Sequence, residues 1–204
     1  MNRLIKDASI AELPGIDPIF VTILDQYGVP DMQSRPEGFE SLCRIILEQQ
    51  VSLMSAQATY EKLSTKINSF TPKEILTLTP EEMRSVTVSK QKASYMKGLA
   101  TAILNGELPI DKLSELPPAE AKESLIAIKG IGPWTAQVYL IFCLQVADVF
   151  PQGDVALINT VVELTGVEKT EVQAKSEDWA PHRTGAALLL WHHYLKKRGR
   201  STVM

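Results

Sequence analysis

Apolar residues recur along this chain at spacings of three and four, and they never alternate with polar ones for long enough to line a strand. "DPIFVTILDQYG" opens with Asp17 at an N-cap position and Pro18 in the first turn, and it stops at Gly28. "TPKE" from Thr71 and "TPEE" from Thr79 each read as a capping box with proline at the first helical position. A longer helix is predicted from Ser89 to Leu104, ended by Asn105-Gly106, and another from Pro118 to Ile126. Further helices follow from about Trp134 to Leu144, from Val155 to about Leu164 closed by Gly166, and from about His182 to Lys197. The pattern predicts an all-α fold of about ten short helices, suited to two lobes sharing a groove. No long linker, low-complexity stretch or fixed-period repeat interrupts it.

One interruption asks for a reason. "AIKGIGPWTAQVYLIF" (Ala127 to Phe142) breaks a good helical run with Gly-Ile-Gly-Pro and resumes it at once. Glycine at Gly130 and Gly132 lets backbone amides approach a partner with no Cβ in the way. Gly132-Pro133 then opens a helix whose first N–H groups have no intrahelical acceptor, which makes an anion site. A tight helix–helix corner with packing glycines is the plain alternative.

Composition narrows the partners. The chain has 204 residues, 45% of them hydrophobic, and a net charge of −3, enough for a real core but no argument for nucleic acid. Charge is unevenly spread, however. Arg183, Lys196, Lys197, Arg198 and Arg200 follow Pro181 with no acid among them, and Arg84, Lys90, Lys92 and Lys97 form a second acid-free stretch. Such patches suit either a phosphate backbone or ordinary solvated helix faces. Cys43 and Cys143 both lie in apolar helical context and read as buried thiols. Adjacent His192 and His193 point to different helix faces, which is poor spacing for a metal. No stretch is apolar enough for a membrane span, and the start, "MNRLIKDASIAELPG", has an acid and turn residues too early for a secretory signal.

The flanks of the hairpin carry more. "LIAIKGIGPWTA" (Leu125 to Ala136) resembles the helix-hairpin-helix motif of DNA repair glycosylases. "DVFPQGD" (Asp148 to Asp154) resembles the Gly/Pro-rich loop ending in an aspartate that completes the HhH-GPD signature. "IILEQQVSLMSA" (Ile45 to Ala56) resembles that family's helix, Gln-rich turn and helix. "WAPHRTGAALLLW" (Trp179 to Trp191) is similar to the Trp-x-Pro-x-Arg-Ser/Thr helix of its alkylpurine branch, the 3-methyladenine DNA glycosylase II type. The four matches fall in order.

The resemblance implies one HhH-GPD unit over residues 1–204, with sub-lobes at about 36–145 and at 1–35 plus 146–204 around a DNA groove. It also implies base flipping and cleavage of the N-glycosidic bond. Asp154 becomes the catalytic candidate, since a carboxylate stabilises the positive charge that develops on a sugar losing its base. Its plain reading, an N-cap for "VALINTVVEL", is compatible with that role. Asp148 is read as a loop or cap residue. Trp134 occupies the position of the nucleophilic lysine in bifunctional relatives; its π face suits a cationic alkylated base. His182 stands where a relative has a second pocket tryptophan. Gln50 resembles the wedge that fills the vacancy of the flipped nucleotide, with Gln49 and Ser52 as further candidates. Gly130, Gly132, Thr135 and Lys129 would hold a DNA phosphate, with Lys90 and Arg183 as additional cations, though Lys129, Lys90 and Arg183 each read more readily as a solvated surface charge. Carbonyls of Ile126, Ile128 and Ile131 are where the family binds a structural Na+ or K+. Trp179, Trp191, Tyr139 and Phe142 read as packing residues.

The expectation is therefore a monofunctional, cofactor-free glycosylase for alkylated purines in double-stranded DNA. It would be a monomer in the cytoplasm, at the nucleoid, or in a nucleus. A non-catalytic hairpin module that grips phosphate, and a glycosylase for another damaged base, are the alternatives.

Overall fold

The computed structural model describes residues 7–200. Among them run twelve α-helices and no strand: α1 (Asp7–Ile16), α2 (Pro18–Tyr27), α3 (Phe39–Glu48), α4 (Leu53–Ser64), α5 (Pro72–Thr77), α6 (Pro80–Ser85), α7 (Lys90–Leu104), α8 (Pro118–Ile126), α9 (Pro133–Phe142), α10 (Val155–Thr165), α11 (Val172–Glu177) and α12 (Arg183–Lys197). Short 3-10 turns lie at Ile110–Glu115 and Lys169–Glu171. The residues form two compact units, one contiguous (Arg35–Leu144) and one made of the chain before Arg35 and after Leu144.

In the contiguous unit α9 is the axis. Every residue from Thr135 to Phe142 is buried, and the wholly buried Tyr139 accepts the Gly38 N–H on its hydroxyl at 2.8 Å. Helix α3 lays Leu42, Ile45 and Ile46 against this core without exposure. Each such side chain contributes about 1.5–3 kcal/mol, well above the few tenths that helix propensity supplies. Arg35 starts the unit with a two-point ion pair to Glu48 (2.8 and 3.2 Å), its guanidinium over the Phe142 ring and its N–H on the Phe142 carbonyl.

Two lysines of the basic stretch serve as helix caps. Lys92 Nζ donates to the Leu47 carbonyl at the end of α3 (2.7 Å), and Lys97 Nζ donates to the Leu78 carbonyl just past α5. Burial lowers the Lys92 pKa, with Glu48 acting the other way. Arg84 and Lys90 stay exposed.

In the discontinuous unit α12 is the axis, buried from Thr184 to His193. Helix α1 comes so close that a Cβ on Gly185 would lie 3.3 Å from Leu13 and 3.5 Å from the Ser9 carbonyl. Asp17 accepts the Ile19 N–H as cap of α2, the Trp179 indole N–H at 3.1 Å, and a salt bridge from Lys175 at 2.9 Å. Burial pulls its carboxyl upward, but these partners outweigh that and hold it below the usual range. Phe20 and Phe150 pack their rings on Trp179.

The predicted boundaries are met to within two residues for α2, α7, α8, α9, α10 and α12. The Thr79 box is reciprocal; the Thr71 box is half made, because Glu74 turns to the Asn68 N–H instead. Helix α1, which carries Pro14 inside it, and the six-residue α11 have no signal in the pattern. Cys43 and Cys143 are buried and in no disulfide; burial raises both thiols, Cys143 to about 12, so neither ionises at neutral pH. No helix among the described residues is long and apolar enough to cross a membrane. Residues 1–6, on which the reading of the chain's start partly rests, lie outside the described ones.

Candidate active site and nucleic-acid interface

The hairpin is built by its backbone. Helix α8 ends at Ile126, the Ile128 N–H returns to the Leu125 carbonyl, and the Ile131 N–H closes on the Ile128 carbonyl at 3.0 Å. Gly130 sits at φ +96, where its Cα rests on the ring of Tyr95, and a Cβ there would fall 2.2 Å from Tyr95 Cγ. Gly130 is therefore required by the fold itself. Gly132 is not: its backbone is extended (φ −89), and a Cβ would meet nothing within 4 Å. The two glycines thus differ in what the fold itself asks of them. Gly132 is the N-cap of α9 and has no side chain to cap the amides that follow, with Pro133 at the first helical position. An uncapped helix start of this kind is where an anion is stabilised.

Beside it opens a polar cleft of about 460 Å³, walled by the hairpin backbone, by Gln49 and Gln50, and by Gln91, Lys92 and Tyr95 of α7. Lys129 is exposed on its rim. Thr135 is 2% exposed and its hydroxyl accepts the Gln49 amide at 2.9 Å, so its side chain is used within the hairpin. Trp134 is half-buried on the first turn of α9.

The Gln-rich turn separates its candidates. Gln50 is exposed with φ +57, in the left-handed region that non-glycine residues rarely adopt. Gln49 faces inward to Gly130 and Thr135, which removes it as a wedge. Ser52 is the N-cap of α4, accepting the Ser55 N–H at 3.2 Å. Val51 and Met54, at 45% and 81% exposure, flank Gln50 on this tip, an apolar feature the sequence reading passed over.

In the other unit, Asp154 is 8% exposed and caps α10, its Oδ1 accepting the Leu157 N–H at 2.9 Å. Gly153 before it takes φ +76, which turns the loop into the cap. The result is a carboxylate fixed in orientation and able to stabilise a nearby cation. Asp148 is paired through both oxygens with Arg183 (2.8 and 2.9 Å), and Arg183 also reaches Glu177 at 2.7 Å. The hydrogen bond from Arg183 holds the Asp148 carboxyl below its usual range, against partial burial. Arg183 is thus committed within the protein, which removes it as a phosphate ligand. His182, half-buried, is the N-cap of α12 and bonds its N–H to the Trp179 carbonyl at 2.7 Å. The basic tail is also partly neutralised: Lys197 meets Glu163 at 2.6 Å, and Arg198 lies over Tyr194. Among the described residues no group of three or more His, Cys, Asp or Glu is placed to hold a metal ion.

Comparison with known proteins agrees in extent with this reading. Residues 43–182 match the family model of the HhH-GPD superfamily base excision DNA repair protein. The DNA-3-methyladenine glycosylase 1 of Schizosaccharomyces pombe is 33% identical over 179 residues, covering 84% of this chain and 78% of that one. The DNA-3-methyladenine glycosylase of Bacillus subtilis is 32% identical over 180 residues; the match covers 80% of this chain but only 57% of the relative's length. Among solved structures, the S. pombe 3-methyladenine DNA glycosylase (Mag1) in complex with abasic DNA superposes with a TM-score of 0.82 at 31% identity, covering 90% of this chain and 95% of that one. With an all-helical chain, a hairpin between α8 and α9 and an aspartate-capped α10 already in place, the protein belongs to the HhH-GPD superfamily of base excision DNA repair proteins.

Proposed function

We propose that the protein is a monofunctional DNA glycosylase that removes alkylated purines of the 3-methyladenine type from double-stranded DNA. The observation that carries the reading is Asp154, a nearly buried carboxylate locked by the Leu157 amide at the end of the family's loop. It is supported by similarity over most of the chain to a glycosylase solved on abasic DNA.

The chemistry asks little of the protein. A cationic N-alkylpurine leaves with the electron pair of the glycosidic bond and departs neutral, so no acid need protonate it. Positive charge moves to the sugar, where Asp154 stabilises it; water adds to C1′ and loses a proton. Trp134 offers a π face to the cationic base, which it binds better than a neutral one. His182 is a second candidate for contact with the base. Gln50 would fill the vacancy in the duplex, and its amide can hydrogen-bond the orphaned base.

The amides of Gly130, Gly132 and Thr135, with Lys129, would hold a phosphate independently of sequence. The carbonyls of Ile126, Ile128 and Ile131 would take a Na+ or K+, whose charge adds to that of the amides. Ile128 already accepts the Ile131 N–H, which leaves it one lone pair for the ion. The protein would act as a monomer, in whichever compartment holds the DNA, cytoplasm or nucleus.

Incubation with methylated duplex DNA and chromatography of the supernatant tests this. Free 3-methyladenine is expected. Tight binding to DNA with no base released would identify a non-catalytic hairpin module instead, and release of a different base would redirect the specificity.

A further inference from the structure

Gln49 and Gln50 are neighbours in sequence with opposite fates. Gln50 is exposed; Gln49 is half-buried, and its amide nitrogen donates to the Gly130 carbonyl at 3.0 Å and to Thr135 Oγ1 at 2.9 Å. Both amide protons are thereby engaged. Their acceptors lie on either side of the Gly132-Pro133 step, one in the hairpin turn and one on the first turn of α9. A single nitrogen therefore spans the hairpin from the side.

The backbone of the same residue caps α3, its N–H returning to the Ile46 carbonyl. Directly after it the chain enters the left-handed region at Gln50, φ +57. A non-glycine residue there persists only when its surroundings hold it. Gln49 is anchored at both ends, by α3 through its backbone and by the hairpin through its side chain. Gly130 in turn is seated on the Tyr95 ring, whose hydroxyl receives the Gln91 amide at 2.7 Å. The hairpin thus cannot shift along α7 without pulling on the Gln49 amide.

We infer that Gln49 is a positioning residue whose amide ties the hairpin to the turn presenting Gln50, so that a phosphate seated on one fixes where the other enters the duplex. This rests on the glycosylase reading above. Gln49 touches no substrate; it sets the register between two groups that do.

The test is a fluorescence titration with a duplex carrying 2-aminopurine opposite an abasic-site analogue, alongside the intact duplex. The wild type should prefer the abasic duplex and change the aminopurine signal as Gln50 fills the vacancy. Gln49→Leu keeps the volume but removes both donors. It should bind intact duplex with an unchanged salt slope, because the hairpin amides remain. Its preference for the abasic duplex should fall roughly tenfold, toward that of Gln50→Ala, as expected for a lost hydrogen-bonded tie. The aminopurine change should fall with it. Thr135→Val should act in the same direction and add little to Gln49→Leu. Ile75→Ala, in the buried core of α5, lowers stability without touching the turn and should leave both signals intact below its melting temperature.

A Gln49→Leu protein with wild-type preference and signal would overturn the inference, as would an Ile75→Ala protein that loses them equally. A wild type with no preference for abasic over intact duplex defeats the glycosylase reading itself, and the inference with it.

Discussion

Alanine at Gly130 should unfold the protein far more readily than alanine at Gly132, two positions on. At Gly130 the new Cβ would lie 2.2, 2.4 and 2.6 Å from Tyr95 Cγ, Cδ1 and Cδ2. Carbon atoms pack at about 3.5–4.0 Å, so the ring must retreat by more than about 1 Å. Cγ is the first ring atom, so turning the outer ring about χ2 does not clear it; the side chain must leave its χ1 rotamer or α7, which is packed on both α3 and α5, must shift. Overpacking of this kind costs about 1–3 kcal/mol. The φ of +96 adds about 1–2 kcal/mol for a residue with a Cβ. Together they give about 2–5 kcal/mol, or a melting temperature lower by roughly 4–20 °C for a chain of this size. Gly132→Ala meets neither obstacle and should stay within about 0.5 kcal/mol of wild type. Its methyl group would instead stand in the cleft, so its loss should appear in DNA affinity. Parallel thermal melts and DNA titrations of the two variants separate these effects. Adding Tyr95→Ala to Gly130→Ala should remove the overlap and leave only the φ cost. Equal melting temperatures for the two alanine variants, or no coupling between Gly130 and Tyr95, would refute the reasoning.

Asp154→Asn keeps a good N-cap and should leave stability within a few tenths of a kcal/mol, while base release falls on the order of 100-fold; Asp154→Ala should lose activity and about 1 kcal/mol of stability as well. Comparable base release by Asp154→Asn and wild type would remove the carboxylate from the mechanism. Borohydride added during turnover should trap no protein–DNA complex, because the first turn of α9 carries Trp134 and no amine; a cross-link mapped to Lys129 would make the proposed glycosylase bifunctional. His192 is 2% exposed, with Nε2 at 3.1 Å from the Tyr27 carbonyl, and burial depresses its pKa. Its neutral form is the folded one, so stability is present above the ordinary histidine value of about 6.5 and is lost as pH falls through the lower folded value. Denaturation of His192→Gln should lose less stability than wild type between about pH 7 and pH 5, and parallel curves would exclude the site.

What could be read from the sequence was what local chemistry decides. Thr79, Ser89, Pro118 and Asp154 announce helix starts because a cap or a proline acts within three residues of itself. The hairpin is legible for the same reason, since Gly132-Pro133 opens α9 without help from elsewhere. The errors fall where a partner is distant. The acceptors of Gln49 lie 81 and 86 residues away, and no spacing rule reaches that far. Arg183 looks like a free cation until Asp148, 35 residues earlier, is placed against it. Thr135 reads only as part of the hairpin's phosphate site, and its burial on α9, the axis of its unit, has no local signal. Gly130 and Gly132 look interchangeable because the residue that distinguishes them, Tyr95, belongs to another helix.

The division of the chain into a contiguous unit and a discontinuous one sets an order of assembly during synthesis. Residues Arg35–Leu144 hold the whole hairpin and all partners of Gln49, so that unit can close as soon as α9 leaves the ribosome. The other unit must wait. Its Asp17–Trp179 bond joins residues 162 apart and its His192–Tyr27 bond residues 165 apart, and α10 packs against α12. Closing such long loops is slow, and nothing rewards it until the last helix has been made. The Asp154 cap itself is local and forms with α10, but the unit that holds it packs last. A nascent or prematurely terminated chain would carry the completed hairpin unit well before the unit that holds Asp154 was packed.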